Sequence, residues 1–230
     1  CIVVLPEHPN PLKRSLLKKL GADIVEFGIN SDMQWEKVQQ LSQDNSYTQV
    51  HPFSDPRIIA GQGTVGLEIL EDLAEVDEVY VSIGGGGLIS GIALAIRELH
   101  PRAKVYGVEP EHSNAMAESV RHQKLVVLPR VETIADGLAA KTTGHLNLAI
   151  VRRCVDQIIV VSDQDILRST LFLLDEAKAL VEPSGATSFA GILANPNREG
   201  RSVAVLSGGN VTLEQLSELQ FSLGAAKSSA

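Results

Sequence analysis

Four consecutive glycines, Gly84–Gly87, give this sequence its clearest indication of a binding site. They follow the apolar run EVYVSI and precede Leu88, where a helical pattern begins. Because glycine has no Cβ, its main chain can adopt positive φ and close around an anion. The N–H groups would then point at the ligand, and the N-terminus of the following helix would add the positive end of its dipole. The segment therefore predicts a site for a dianionic phosphate.

The identity of the phosphate compound is narrowed by two motifs that the glycine segment lacks. One glycine would be enough for a close strand–helix turn, so four favour a ligand. The pattern GxxxxGK[ST] is absent, which argues against nucleotide hydrolysis. GxGxxG is also incomplete, because Ile89 stands at the third glycine position. Glu109, at the end of the next apolar run, is nevertheless placed like the ribose-binding carboxylate of dinucleotide folds. A nicotinamide-dependent oxidoreductase is therefore an alternative.

Strand and helix patterns alternate along the chain, which predicts an α/β fold with a mainly parallel sheet. The turn-rich segment HPFSDP interrupts this alternation and marks the expected boundary between a small first lobe and a larger second one. Strands are predicted at 1–5, 22–27, 48–50, 78–83, 104–109, 157–161 and 202–206, and helices at 11–21, 57–73, 88–99, 145–151 and 162–178, as well as after 31 and 212.

Composition excludes several classes of partner. The chain has 230 residues, 44% of them apolar, and a formal net charge of −8 without a block of Lys or Arg. A nucleic-acid binder normally carries a basic stripe, and an anionic membrane surface needs one as well. No apolar run reaches the roughly 18–20 residues of a membrane span. The cysteines Cys1 and Cys154 form neither a disulfide framework nor a zinc motif. We expect a buried Cys154 and a reduced, cytoplasmic setting.

Several motifs occur together and in a fixed order. They are HPFSDP, IAGQGTVGLEIL, GGGGLISGIA, VYGVEPE, TIADGL, VEPSGA and LSGGN. In this combination the sequence resembles the fold-type-II pyridoxal-phosphate enzymes, and within them the threonine and serine dehydratases and serine racemases. The resemblance implies a tryptophan-synthase-β-like fold, with an open, twisted, mainly parallel sheet flanked by helices. It also implies that residues 1–52 are the remainder of a small cofactor-covering lobe and that 53–230 form the large cofactor-binding lobe.

The same resemblance implies which residues hold the cofactor. The glycine segment would surround its phosphate, and Ser207 would hydrogen-bond the pyridine nitrogen. A hydroxyl there leaves that nitrogen largely neutral, which suits elimination or proton exchange. The expected cofactor-binding residues are Gly84, Gly85, Gly86, Gly87, Leu88, Ser207 and Gly208.

Glu182 and Asp136 are the candidate catalytic residues that the resemblance implies. Both would line the active site near the substrate or the cofactor ring. A carboxylate at a helix start and an ordinary Asp-Gly turn are the alternative interpretations. His51 and His112 are isolated histidines, which are more often structural, and neither is assigned a catalytic role.

A divalent cation site is implied only in incomplete form. Relatives with such a site use a Glu after the strand, a carbonyl four residues on and an acidic residue two beyond. These positions fall on Glu109, Ser113 and Ala115. Alanine cannot bind a cation, and Mg²⁺ or Ca²⁺ needs several oxygen ligands. A cation bound by Glu109 and Ser113 is therefore doubtful.

The sequence departs from the family in one important respect. The catalytic lysine of the family lies in a Ser-x-Lys-x-Arg-Gly-like motif, and a Ser-x-Gly-Asn-His loop covers the cofactor ring. Neither motif is present. The pair Lys13-Arg14 lies in surroundings that match a later helix of the family, so we predict a solvent-facing helical Lys13. Because the first residue, Cys1, lies inside a strand pattern, we expect a chain cut from a longer protein. Without the lysine, we expect the chain as written to be a poor catalyst or none.

The resemblance predicts an ammonia-lyase that converts a small hydroxy amino acid into a 2-oxo acid and ammonia. A serine racemase-type enzyme is one alternative, and a catalytically inactive binding or regulatory protein with the same fold is another. Members of this family are usually dimers or tetramers, so a homo-oligomer is expected.

Overall fold

The computed structural model describes residues 1–29, 31–198 and 200–218. Contacts between Cα atoms divide the chain into two compact units, Cys1–Val50 and the residues from His51 onward. This division lies two residues before the predicted boundary after residue 52, and the assignment of the units to a covering lobe and a cofactor lobe stays a prediction. None of the described helices is long and apolar enough to cross a membrane.

The first unit contains two short parallel strands and two helices. The strands pair along their whole length, with Ile2 opposite Asp23. The elements are β1 (Ile2–Leu5), α1 (Pro11–Lys19), β2 (Asp23–Glu26) and α2 (Ser31–Asn45).

Helix α1 begins as the sequence predicts. The side-chain oxygen of Asn10 accepts hydrogen bonds from the N–H groups of Leu12 at 3.0 Å and Lys13 at 3.2 Å, and Pro11 occupies the first helical position. Lys13 lies in this helix as expected, but it is partly buried rather than solvent-facing. The prediction of a strand at residues 48–50 is wrong, because this segment pairs with no strand of the described chain.

The second unit alternates strands and helices. The sequence patterns missed α5 and α8. The elements are α3 (Pro56–Asp72), β3 (Glu78–Ser82), α4 (Gly87–Leu99), β4 (Lys104–Pro110), α5 (Ala115–His122), a 3₁₀ turn (Asp136–Leu138), α6 (His145–Cys154), β5 (Gln157–Val161), α7 (Asp163–Asp175), α8 (Pro183–Ala194) and β6 (Ser202–Ala204). Residues 213–218 are helical as well.

The four strands of the second unit form one parallel sheet in the order β5-β4-β3-β6. Glu78, the first residue of β3, lies opposite Lys104 on one side and Ser202 on the other. All five residues of β3 are buried, as expected for a central parallel strand covered on both faces. The predicted α/β fold with a parallel sheet flanked by helices is therefore confirmed.

Alternate residues of β3 face two different apolar layers. Val79 and Val81 pack with residues of α4 and α6, and Cys154 is buried in this layer, as predicted. Tyr80 faces the other layer, which α7 and α8 supply, and its ring stacks on Tyr106 with 4.7 Å between ring centroids. The sheet is thus enclosed between helices on both sides, and a ligand must approach it from an edge.

A buried polar network links β3 to its neighbours at the amino ends of the strands. The hydroxyl groups of Tyr80 and Ser202 donate to Oε2 of Glu78 at 2.8 and 2.9 Å. The side-chain amide of Asn195 donates to the Tyr80 hydroxyl oxygen at 2.7 Å. Burial raises the pKa of Tyr80, so the hydroxyl stays protonated as a donor. This network ties β6, the shortest strand, to the centre of the sheet.

Helices α3 and α4 approach each other closely at two glycines. A Cβ atom added to Gly91 of α4 would overlap the carbonyl oxygen of Ile59 and lie 2.5 Å from the main-chain nitrogen of Gly63. Main-chain atoms cannot move aside as a flexible side chain can. The contact therefore determines where α4 lies, and with it the glycine segment at the start of α4.

We expect Gly91→Ala to lower the free energy of unfolding by about 1–3 kcal/mol, because the added methyl group has no space. Gly61→Ala is a matched control within α3. Nothing lies within 4 Å of a Cβ at Gly61, so alanine there should be neutral or stabilise the helix by up to about 1 kcal/mol. Urea denaturation of the two variants measures both effects, and equal stabilities would contradict the close packing of α3 on α4.

Candidate functional site

The glycine segment connects the carboxyl end of β3 to the start of α4. Gly86 has a φ of +91°, in the left-handed region that favours glycine. Gly86 and Gly87 are buried, whereas Gly84, Gly85 and Leu88 are partly exposed. The segment therefore lies at the surface of the second unit, where a ligand can reach it.

The main-chain donors and acceptors of this segment are used unequally. The carbonyl oxygen of Gly86 accepts from the Ser90 N–H at 3.1 Å, and that of Gly85 accepts from the Thr143 hydroxyl at 2.8 Å. By contrast, the N–H groups of residues 84–88 donate to no acceptor among the described residues. Open donors at the start of a helix, together with the helix dipole, form an anion site.

The opposite side of the glycine segment is filled by neighbouring side chains. A Cβ atom on Gly85 would overlap the ring of Phe53, and one on Gly87 would lie 3.0 Å from the Phe53 carbonyl oxygen. A Cβ on Gly86 would lie 2.7 Å from the terminal methyl group of Met116. Three glycines are thus required for packing alone, and the interpretation that one would be enough for the turn is wrong.

Ser207 and Gly208 follow β6, the strand next to β3. Ser207 is exposed, and its hydroxyl forms no hydrogen bond within the described ranges. The carbonyl oxygen of Gly208 accepts from the Glu182 N–H at 3.1 Å, and a Cβ on Gly208 would overlap Oε1 of Glu182. Glu182, the residue that precedes α8, is therefore beside the Ser207–Gly208 turn.

The turn Asp136–Gly137 reaches the glycine segment through main-chain contact. Both residues are exposed, and a Cβ on Gly84 would lie 3.2 Å from the Gly137 carbonyl oxygen. The Gly137 N–H donates to Oγ of Ser184 in the first turn of α8 at 2.9 Å. Ser184 belongs to the VEPSGA motif, but the sequence alone does not indicate its contact with Gly137.

The structure thus brings the predicted site residues to one edge of the sheet. The glycine segment and the Ser207–Gly208 turn follow neighbouring parallel strands, and the carboxyl ends of such strands share an edge. From β3 the chain crosses through α4 to β4 on one side, while β6 lies on the other. A crevice at such a change of direction is where open α/β sheets bind ligands.

Glu109 lies near the carboxyl end of β4, and its carboxylate is used within the fold. It is fully buried, and its carboxylate accepts from the N–H of Met116 at 2.9 Å and of Ala117 at 2.7 Å, at the start of α5. The alternative of a ribose-binding carboxylate is therefore wrong, because a buried, helix-capping group cannot reach a cofactor.

Ser113, the second candidate cation ligand, donates its hydroxyl to the Leu138 carbonyl oxygen at 2.7 Å. Across the described ranges, no three or more His, Cys, Asp or Glu side chains are grouped so that they could hold a metal. The doubtful cation at Glu109 and Ser113 stays a prediction.

The two histidines differ in their surroundings. His112 is exposed, with Nε2 3.6 Å from a carboxylate oxygen of Glu111. His51 is partly buried, and its Nδ1 accepts from the N–H groups of Phe53 at 3.2 Å and Ser54 at 2.8 Å. His51 therefore has a structural contact of the kind expected for an isolated histidine.

Comparison with known proteins identifies the family. Residues 1–208 match the family described as pyridoxal-phosphate dependent enzyme. The chain belongs to this family. It is 38% identical over 218 residues to L-threonine ammonia-lyase of Thermotoga maritima, covering 94% of this chain and 54% of that protein. It is 37% identical over 223 residues to the catabolic L-threonine dehydratase TdcB of Escherichia coli, covering 94% and 67%.

Solved structures of the pyridoxal-phosphate family show the same fold. The structure of maize serine racemase superposes with a TM-score of 0.90 at 32% identity, covering 98% of this chain and 70% of the other. The processed form of threonine deaminase isoform 2 from Solanum lycopersicum superposes with a TM-score of 0.86 at 30% identity, covering 97% and 63%. The chain spans about half the length of the Thermotoga relative it matches.

Pyridoxal phosphate fits the residues at this edge. The open N–H groups of residues 84–88 match the acceptor oxygens of a phosphate, and the start of α4 favours its negative charge. Ser207 presents an exposed hydroxyl at the end of the adjacent strand, where it can donate to a ring nitrogen. These residues can hold both ends of the cofactor.

Glu109 also makes the stability of this family member depend on pH. Burial raises the pKa of its carboxyl to about 8, although the N–H groups of Met116 and Ala117 oppose the shift. The folded protein therefore binds a proton that the unfolded chain has released above about pH 4.3. The contribution to stability is complete below the unfolded pKa and is lost as the pH rises through about 8.

We expect the free energy of unfolding of the wild type to fall, relative to Glu109→Gln, between about pH 5 and 8 by on the order of 1 kcal/mol per pH unit. Glu71→Gln, which removes an exposed carboxylate from α3, should follow the wild type. Urea denaturation across this range measures the three proteins. A constant difference between wild type and Glu109→Gln would show that the pKa of Glu109 is not raised in the folded protein.

Proposed function

We propose that the full-length protein containing this chain is a pyridoxal-phosphate dependent ammonia-lyase that acts on threonine or serine. It would release a 2-oxo acid and ammonia. The open N–H groups at residues 84–88 carry the proposal, because they follow β3, the strand next to the one that precedes Ser207. The similarity to L-threonine ammonia-lyase of Thermotoga maritima supports the substrate class.

In this proposal the chain's own residues bind and orient the cofactor. The N–H groups of Gly84–Leu88 bind its phosphate, and the Ser207 hydroxyl meets its ring nitrogen. When bound, pyridoxal phosphate supplies an electron sink for the pair left after an amino acid loses its α-proton. A hydroxyl at residue 207 would keep the sink weak, because it does not stabilise a protonated ring nitrogen as a carboxylate would. A weak sink favours loss of a β-hydroxyl group.

Glu182 and Asp136 are proposed to contact the substrate or the cofactor ring. The carboxylate of Glu182 lies against Gly208, and the Asp136–Gly137 turn touches Gly84. Each carboxylate thus belongs to a segment that packs directly on a cofactor-binding residue. From there they can accept hydrogen bonds from the amino or hydroxyl group of a substrate.

The family's lysine motif, whose lysine would bind the cofactor covalently, is not present in this chain. We therefore expect the full-length protein to show an absorbance band near ~410–420 nm with pyridoxal phosphate, and borohydride to abolish it. Residues 1–230 alone should bind the cofactor without this band and release no oxo acid. A full-length protein without the band would favour the inactive binding protein.

Racemisation is the second candidate, since the structure of maize serine racemase superposes so well. Both reactions begin with removal of the α-proton. An ammonia-lyase then eliminates the β-hydroxyl group, whereas a racemase returns a proton to the opposite face of the α-carbon. Incubation with L-serine distinguishes them, because an ammonia-lyase produces pyruvate and a racemase produces D-serine. A cytoplasmic homo-oligomer is part of the proposal, and the free cysteines Cys1 and Cys154 agree with a reducing compartment.

We expect Ser207→Ala to lower kcat for threonine or serine by about tenfold, since the hydrogen bond to the ring nitrogen is lost. Affinity for the cofactor's phosphate should change little, because the glycine segment is intact. Ser15→Ala removes a hydroxyl from another exposed serine, in α1, and should leave kcat unchanged. Measurement of oxo-acid release by the three full-length proteins tests the role, and an unaltered kcat in Ser207→Ala would contradict it.

A further inference from the structure

The segment just before α3 supports the glycine segment from behind. The ring of Phe53 occupies the space beside Gly85, and its main chain lies against Gly87. A shift of Phe53 would therefore move the main chain of residues 85–87, or leave an empty space between Phe53 and that main chain. The geometry of the open N–H groups thus depends on what holds Phe53 in place.

His51 holds the main chain of Phe53 on one side. Its Nδ1 accepts from the N–H of Phe53 at 3.2 Å and of Ser54 at 2.8 Å, and its ring meets the Phe53 ring edge-on, with 4.7 Å between centroids. Only an imidazole whose proton is on Nε2 can accept at Nδ1. Partial burial lowers the pKa of His51, although Asp55 opposes this, so the neutral form is favoured.

Helix α6 holds Phe53 and the glycine segment on the other side. The side-chain amide of Asn147, which is fully buried, donates to the Phe53 carbonyl oxygen at 3.0 Å. Thr143, just before α6, donates its hydroxyl to the Gly85 carbonyl oxygen at 2.8 Å. The peptide groups on both sides of Phe53 are thus fixed by side chains, and His51 provides the contact that is partly exposed.

We propose that His51 is a positioning residue for the phosphate site: its Nδ1 fixes Phe53 beneath Gly85 and Gly87, so that the N–H groups of the glycine segment are held ready for the phosphate. This rests on the proposed function, because it takes the cofactor's phosphate as the ligand of that segment. In this proposal His51 acts through Phe53 and Ser54, whose N–H groups donate to its Nδ1.

Two substitutions of His51 test whether its hydrogen-bond acceptor is needed, or only a side chain of similar size. In His51→Asn the amide oxygen is bonded to Cγ, as Nδ1 is in histidine, and asparagine side chains commonly accept from N–H groups two and three residues on. His51→Leu has a similar size and no acceptor. We expect His51→Leu to raise the Kd for pyridoxal phosphate by about tenfold, and His51→Asn to stay within about twofold of the wild type.

The measurement is a spectroscopic titration of the full-length apoprotein with two probes. Pyridoxal phosphate reports on the whole cofactor site, and pyridoxal, which lacks the phosphate, reports on the ring site alone. We expect His51→Leu to weaken only the first. A merely structural defect would weaken both probes equally, and that result would overturn the proposal. Equal affinity of His51→Leu and wild type for pyridoxal phosphate would overturn it as well.

The remaining outcomes are also decisive. A wild-type apoprotein that does not bind pyridoxal phosphate overturns the proposed function. Saturable wild-type binding with unaltered variants overturns only the role of His51. If His51→Leu fails to fold, His51→Gln replaces it, because its amide is one carbon further from the main chain and misses the two N–H groups. Equal affinities of the Gln and Asn variants for pyridoxal phosphate would then overturn the proposal.

Discussion

Close contact between Phe53 and the glycine segment is the constraint on which the rest of the site depends. No side chain fits at residues 85–87, because the Phe53 ring, its carbonyl oxygen and Met116 occupy the space. The segment is therefore supported on one side and partly exposed at Gly84, Gly85 and Leu88. An anion site of main-chain N–H groups needs such support, because an unsupported loop would lose its fixed geometry and with it the preorganisation that favours binding.

The amino and carboxyl ends of the parallel strands have different roles in this sheet: the first carries a buried hydrogen-bond network, and the second carries the candidate site. At the amino edge, Glu78 accepts from Tyr80 and Ser202 in a buried network that ties the short strand β6 to β3. At the carboxyl edge, the turns that follow β3 and β6 leave donors open. The strand register that is fixed at the amino ends thus determines which residues meet at the carboxyl ends. This is because β3 leads directly into the glycine segment and β6 into Ser207–Gly208.

Glu109 shows why a residue type at a strand end does not specify a partner. Its position in the sequence suggested a ribose contact, and its resemblance to relatives suggested a cation. In the structure its two carboxylate oxygens accept hydrogen bonds from the N–H groups of Met116 and Ala117 at the start of α5, and Met116 packs against Gly86. The carboxylate thus supports the glycine segment indirectly, by fixing the start of a helix that packs against it. Burial makes that arrangement sensitive to pH, as the raised pKa indicates.

The sequence by itself determined the parallel α/β fold, most strand positions, the cap of α1 and the glycine segment, because these depend on local patterns and on the turns between them. It did not reveal α8, which is rich in small residues and buried at nine of its twelve positions, so no one-sided apolar pattern marks it. Nor did it reveal the hydrogen bond between Asn147 and Phe53, which are 94 residues apart. Only the tertiary structure decided which side chains support the glycines and which carboxylates lie beside them, since contacts at such separations leave no local trace in the chain.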